Sequence, residues 1–348
     1  MPRKRKTLPF NFADPFQTAS LDVLKEIYTN RLPDAYEKYS KQTALFFNEC
    51  PHALAEWLVE QGADLEAKNR WGSTPLQTRS GSRLGNIVSL LNLGASMHYQ
   101  DETGTALHHT AFHHNAANFG ILLEKGADVS TSNKSGMTPL ELALQTCSNM
   151  DIPETVDIAN LSLKASPSIN RKMQGYVQEI GQKFEFFRSA FNLEMVDRVS
   201  TKLEELYVLF EVAPTPRRRL HDGLETIRIE GEGWSEQYDF LWDLLVPATG
   251  AAATVQGETI RIVGRIDREL QVNGGINWDD DFRLMAESFL GYIQLGNPLS
   301  EQEMALLIEN ANYLKKNRAD LQLLKELIVR WVQFNPEPIP LLEAPYQR

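Results

Sequence analysis

Apolar residues recur along this chain at intervals of three and four far more often than at every second position, so the pattern predicts helices. Leu21 to Tyr28 (LDVLKEIY) has the i, i+3 spacing of a first short helix. Three dense apolar stripes follow, Trp57-Leu58, Ile87-Val88-Leu90-Leu91 and Phe119-Ile121-Leu122-Leu123, each succeeded by a glycine (Gly62, Gly94, Gly126) placed to end a helix at positive φ. Glu154 to Lys164 supplies a further helix. Ser168 to Phe191, with Ile169, Met173, Tyr176, Val177, Ile180, Phe184 and Phe187, and Asn192 to Val212, with Val196, Val199, Leu203, Leu206 and Phe210, predict an antiparallel pair packed on what precedes it. After Ala213-Pro214-Thr215-Pro216 the pattern changes. Glu225 to Ile229 and Glu258 to Val263 read as short β-like runs, the second equally as a buried helical turn. Trp234 to Val246, Asp279 to Leu295, a helix opened by the Ser300 to Glu303 capping box and running toward Leu314, and Asp320 to Phe334 complete a mostly helical second half. Asn335-Pro336-Glu337-Pro338 then begins an extended tail.

The first half repeats itself. Thr-x-Leu recurs at Thr43-Ala44-Leu45, Thr74-Pro75-Leu76, Thr105-Ala106-Leu107 and Thr138-Pro139-Leu140, in phase with Gly62-Ala63-Asp64, Gly94-Ala95-Ser96 and Gly126-Ala127-Asp128, and with a third marker at Gly72, Gly104 and Gly136. This pattern resembles the ankyrin family, whose unit is two antiparallel helices and a projecting, hairpin-like finger. Thr105 to Asp128 is the fullest copy. The resemblance implies that Thr caps the first helix of each unit, that Pro fits its first turn, and that the second helix carries the buried stripe. Arg79 and Ser80 stand where the family prefers small alanines, so the first helix of the second unit is expected to be irregular. Gly104 runs directly into Thr105, so the third finger should be tighter. The expected fold class is mainly α: an ankyrin-repeat α-solenoid, then a mostly helical C-terminal domain with a possible small β element. The expected domains are a tail over 1–20, about four repeats plus caps over 21–165, and the helical domain over 166–348, with Ala165-Ser166-Pro167 as the boundary.

Composition narrows the class of partner. The 348 residues carry a formal charge of −11, which disfavours nucleic acid and anionic membrane as partners and favours a basic or neutral protein. Residues 1–165 hold 15 Lys/Arg against 18 Asp/Glu, and the remainder 20 against 28, so most of the negative field belongs to the second half. Two cysteines in different segments, Cys50 and Cys147, fit a reducing compartment, and the Met1 to Phe10 segment lacks the apolar region of a signal peptide; a cytoplasmic location is expected. The basic run Arg3 to Lys6 reads as a solvated tail.

His108, His109, His113 and His114 are four of the seven histidines, and His109 and His113 share one helix face, an arrangement able to take zinc. Against this, the resemblance assigns His108 to a hydrogen bond within the loop framework, and no third ligand is close in sequence. The reading adopted is no metal and no cofactor, with His109, Phe112 and His113 on a concave contact surface. Trp71 beside Arg70 at a finger tip suits an interface anchor, and Arg79, Glu102 and Lys134 complete the expected partner-binding set. Asp279-Asp280-Asp281 with Glu287 reads as an acidic first helical turn rather than a cation site. Glu258, Arg261, Arg265 and Asp267 define no recognised mechanism, and segments such as Thr254 to Glu258 and Asn273 to Asp279 resemble sequences beside ankyrin arrays in uncharacterised bacterial proteins. The expectation is therefore a non-enzymatic protein-binding module, in its most concrete form a bacterial immunity protein that blocks a basic toxin enzyme. The alternative is an enzyme whose second domain acts on a substrate recruited by the repeats, which requires groups between Arg261 and Asp281 to converge on a pocket.

Overall fold

A computed structural model describes residues 4–314 and 319–347, and its elements are mainly helical. The chain divides into two compact units: one runs to Phe184 and adds Asn192 to Thr215, the other comprises Glu185 to Phe191 and the chain from Pro216 onward.

The first unit opens with a two-stranded parallel sheet, β1 (Arg5–Thr7) against β2 (Arg31–Tyr36), with α1 (Leu21–Glu26) between them. The expected tail over 1–20 is thus folded where it is described, and Arg3 of the basic run lies outside the described residues. The reason is apolar: Leu8, Phe12 and Phe16 are buried, and Phe12 and Phe16 meet Phe47 edge-on at 4.9 and 6.3 Å, closing the open end of the array.

Repeats follow as helix pairs. The first has only a 3-10 turn (Ala44–Phe46) before α2 (His52–Glu60); the others are α3 (Pro75–Gly81) with α4 (Val88–Asn92), α5 (Ala106–Phe112) with α6 (Ala116–Glu124), and α7 (Pro139–Thr146) with α8 (Ile152–Ala165). Successive units stack α3 on α5, α5 on α7 and α6 on α8. Thr74 with Gln77, Thr105 with His108 and Thr138 with Glu141 form reciprocal capping boxes, which satisfy otherwise orphaned amides at the start of α3, α5 and α7. Gly62, Gly94 and Gly126 have φ of 93°, 95° and 91° with open space where a Cβ would go, so the backbone conformation alone selects glycine there. The helices α9 (Arg171–Phe187) and α10 (Leu193–Phe210) follow, and α10 packs on α8.

The irregularity expected in α3 falls instead on α4, which is five residues long. Arg79 stays helical because its side chain turns inward. The linking segment is pinned by amide side chains of the next repeat: Asn115 donates to the carbonyls of Ser80 and Ser82, and Asn118 to that of Gly85.

In the second unit α11 (Trp234–Leu245), α13 (Asp280–Tyr292) and α15 (Leu321–Phe334) pack on α12 (Val255–Gln271), and α14 (Glu301–Leu314) packs on α13 and α15. Glu258 to Val263 is helical, not β, because α12 is buried on nearly all sides and its β-branched residues fill core positions. Glu225 to Ile229 is extended without a named strand partner; among the described residues the named strands belong to the first unit, and the C-terminal half has an isolated antiparallel bridge between Thr254 and Pro340. The proline-rich tail is strapped down: the Ile339 and Ala253 carbonyls accept from the amides of Val255 and Leu341 at 2.8 and 3.1 Å. No helix among the described residues is long and apolar enough to cross a membrane.

Candidate partner-binding surface

Each finger is a turn held by one Asx residue at its base. Asn69 accepts from the amides of Trp71 and Ser73 at 2.9 and 3.0 Å, and Asn133 from those of Ser135 and Met137 at 3.0 Å each. Both fingers close with a backbone bond across four residues, Asn69 to Ser73 and Asn133 to Met137. The third, from Asp101 to Gly104, closes across three. It is the tighter finger expected from the direct Gly104-Thr105 join. Gly104 has φ of 129°, and a Cβ there would collide with the His108 ring.

His108 spans this framework. Its Nδ1 meets the Thr105 amide and hydroxyl at 3.2 and 2.9 Å, and its Nε2 lies 3.0 Å from the Met137 carbonyl, as the resemblance implied. Burial lowers its pKa. The adjacent His109 turns to a different partner. Its Nε2 is 2.9 Å from the Asp101 carboxylate, which also accepts from the Ser73 hydroxyl at 2.6 Å. Burial by itself raises the Asp101 carboxyl. The hydrogen bonds from His109 and Ser73, the charge of His109 and the Gly104 amide outweigh that and hold it well below the usual carboxylate range.

Two expected contact residues are therefore corrected. His109 is 9% exposed and engaged in tying the third finger to α5, so it does not present an open imidazole. Arg79 is fully buried beside the Cys50 thiol; Nη1 donates to the Asn86 carbonyl at 3.2 Å, while Nε and Nη2 have no hydrogen-bond partner among the described residues. Burial raises Cys50 to about 11, so its thiol is not a ready counter-charge.

The remaining expected residues are exposed. Trp71 is 59% exposed at its finger tip, and Arg70 beside it lies over the Tyr39 ring at 4.8 Å. Glu102 and Lys134 form a surface ion pair between neighbouring fingers. On α5, Phe112 is exposed and meets the exposed His113 edge-on at 5.0 Å. His113 is thus on the surface while His109 is held by Asp101.

Sequence reasoning missed Tyr39, 69% exposed beneath Arg70, and the matching pair of Lys68 over Tyr99 at 4.5 Å. A signal was available. Tyr39 and Arg70, Lys68 and Tyr99, and Glu102 and Lys134 are each about one repeat apart, and residues in equivalent positions of adjacent units face one another. Complementary chemistry at the repeat period marks such contacts.

In the second unit, Glu258 and Arg261 are fully buried and paired at 2.6 Å, and the Tyr346 hydroxyl donates to Glu258 at 2.6 Å. Asp267 pairs with Lys325 at 2.6 Å, Asp279 caps α13 by accepting from the Phe282 amide, and Asp280 pairs with Arg283. These groups stabilise the unit.

No protein-family model matches the chain. A transient receptor potential cation channel subfamily A member 1 homolog from Caenorhabditis elegans is 31% identical over 94 residues, covering 27% of this chain and 8% of that protein. Ankyrin repeat and SOCS box protein 6 from Homo sapiens is 39% identical over 95 residues, covering 24% of this chain and 23% of that protein. Potassium channel KOR2 from Oryza sativa subsp. japonica is 38% identical over 58 residues, 16% of this chain and 8% of that protein. The chain thus spans less than a quarter of each of these relatives. The periodic markers, the capped helix pairs with their fingers and these partial likenesses agree: the first unit carries ankyrin repeats.

Proposed function

We propose that the repeat unit binds a protein partner through its fingers and the exposed end of α5. The carrying observation is the Trp71, Arg70 and Tyr39 group. A large exposed indole and a guanidinium stand on a turn whose backbone is already fixed by Asn69 and by the Arg70 amide donating to the Ser40 carbonyl at 2.8 Å, and the guanidinium lies over the Tyr39 phenol of the preceding turn. Residues of these types on a pre-ordered backbone lose little entropy on binding and dominate interface energies. Phe112, His113, Glu102 and Lys134 extend the same reading. The relative named for ankyrin repeats is consistent with a binding role.

The sharper form is a cytoplasmic bacterial immunity protein that captures and inhibits a basic toxin enzyme. It is supported by the acidic balance of the second half, 28 Asp/Glu against 20 Lys/Arg, which would steer a cationic partner at low salt. The test is affinity capture by the intact chain and by a chain carrying Trp71→Ala and Arg70→Glu, with equal melting of the two confirmed first. A stoichiometric partner lost by the altered chain supports the surface; a partner retained at equal affinity overturns it. Inhibition is read separately, as loss of the partner's own activity on addition of the chain.

A further inference from the structure

The loop that follows α12 holds the one place in the chain where glycine follows asparagine, Asn273-Gly274. The backbone nitrogen after an asparagine can reach the side-chain Cγ and close a five-membered ring, and glycine favours this because no Cβ shields its nitrogen or restricts its backbone. Gly274 has φ of 65°, with nothing within 4 Å of where a Cβ would stand, and its amide donates no hydrogen bond among the described residues. The nucleophile is therefore unengaged and approachable. Asn273 is exposed, and its Nδ2 donates to the Glu269 carboxylate at 2.8 Å. That bond can open without disturbing α12, which ends at Gln271.

A second pair capable of the same ring closure is Asp222-Gly223, and there the structure opposes it. The Gly223 amide donates to the His221 ring at 3.0 Å, so the nitrogen is engaged. The Asp222 carboxylate accepts from the Leu224 and Glu225 amides at 2.8 and 3.1 Å, which lower its pKa. An ionised carboxylate resists a nucleophile, whereas the Asn273 side-chain amide carries no charge to repel one.

We propose that Asn273 is a self-modifying site, which deamidates by attack of the Gly274 nitrogen and thereby releases the loop from Glu269. Hydroxide from solvent removes the Gly274 amide proton, the nitrogen bonds to Asn273 Cγ, the Cγ–Nδ2 bond breaks, and Nδ2 takes a proton and leaves as ammonia. Water then opens the ring at either of its two carbonyl carbons, giving aspartate or isoaspartate with a new carboxylate. The new group has no N–H to donate, so the bond to Glu269 is lost whatever other partners Glu269 keeps, and a negative charge stands where a donor stood. The loop keeps the Gly275 amide on the Glu269 carbonyl at 2.8 Å and the Asn277 amides on its carboxylate at 2.7 and 3.2 Å, and the extra backbone methylene of isoaspartate shifts both residues. The outcome is an irreversible, time-dependent loosening of the link between α12 and α13.

The test is to age the full chain at body temperature in neutral and in mildly alkaline buffer, then to map peptides by mass and assay isoaspartate enzymatically. A gain of about 1 Da confined to the peptide bearing Asn273 is expected within weeks, faster at the higher pH, with isoaspartate at Asn273 and none at Asp222. Gly274→Ala, whose Cβ shields the nitrogen, should slow it at least about tenfold, and Asn273→Gln, which would have to close a six-membered ring, should keep its mass. Hydrogen exchange from Val272 to Asp279 should be faster in the aged chain and in Asn273→Asp than in the fresh chain. Asn273 intact after months, or converted as fast in Gly274→Ala, overturns the site. Isoaspartate arising at Asp222 as early as at Asn273 overturns the protection by His221, and unchanged exchange overturns the release of the loop.

Discussion

A buried charge with no ion-pair partner among the described residues is costly, and Arg79 is such a charge. Its fully buried guanidinium has one carbonyl partner, and burial pulls its pKa down despite the nearby Cys50 and Glu49. Replacing it with an unbranched apolar side chain of similar length removes the desolvation cost and keeps the volume. Arg79→Met is therefore expected to leave stability unchanged or to raise it by about 1 kcal/mol, whereas Arg79→Ala opens a cavity and should cost about 2–4 kcal/mol. Urea denaturation separates the two, and a large loss in the Met variant would mean that the guanidinium holds the α3 to α4 link. The histidines make a second prediction. Burial lowers the pKa of His108 and of His114, whose Nδ1 lies 3.0 Å from the Thr155 hydroxyl. Their folded-state values lie below the unfolded value of about 6.5, so the unfolded chain takes up protons first and this contribution is complete above that pH. It is lost as pH falls through about 6.5 toward the folded values. Asp101, held low, contributes above its unfolded value near 3.9 and is lost only as pH falls below that. Melting followed by circular dichroism should be level from about pH 7 to 8 and decline below about 6.5, more shallowly in His114→Gln. A flat profile down to about pH 5 would refute it.

Among elements, those marked by strong local chemistry were legible in the sequence. The capped starts of α3, α5 and α7 and the glycine-ended α2, α4 and α6 follow from residues that act on their immediate neighbours. The short third finger was legible for the same reason. What was not legible depended on burial around the whole element. Ile260, Ile262, Val263 and Ile266 suggest a strand by composition, and although Glu258, Arg261, Arg265 and Arg268 recur at helical spacing, the first two are buried against each other, so the charges read equally as the alternation of a half-exposed strand. Arg79 and His109 were misplaced because a polar residue at a helical contact position reads as surface until its partner is known, and Asp101 and the α4 link lie outside the local window. The strap gives an element-scale prediction. Tyr346 is 6% exposed, and its hydroxyl completes the bonding of the buried Glu258 and Arg261 pair. Tyr346→Phe should cost about 1–3 kcal/mol, because it leaves a buried carboxylate oxygen with one partner fewer. Unchanged chemical denaturation of the variant would show that the strap contributes by packing alone.

At the scale of the whole molecule, the distribution of apolar surface decides where the first unit ends. Ala165-Ser166-Pro167 breaks the repeat, and a proline after a helix is a reasonable stop signal. Yet the compact unit continues to Thr215, interrupted only at Glu185 to Phe191. The cause is the unfinished side of the last repeat: α10 covers α8, Asn160 bonds Glu205 at 2.9 Å, and Asn170 bonds Glu141, a capping-box residue of α7, at 3.0 Å. The α9 and α10 pair buries Met173, Val177, Ile180 and Phe184 together with Val199, Leu203, Leu206 and Phe210. A solenoid needs such a cap because a terminal repeat without one leaves its stacking face in water. The second break, Ala213-Pro214-Thr215-Pro216, is thus the boundary between units, and the first separates repeats from their cap. A fragment of residues 1–215 is expected to unfold in one cooperative urea transition. A fragment of residues 1–165 should be less stable by more than about 3 kcal/mol, or aggregate, since removing several fully buried Leu, Ile and Phe side chains forfeits about 1.5–3 kcal/mol for each. Equal midpoints for the two fragments would return the boundary to Pro167 and make α9 and α10 a linker between two separately folding halves.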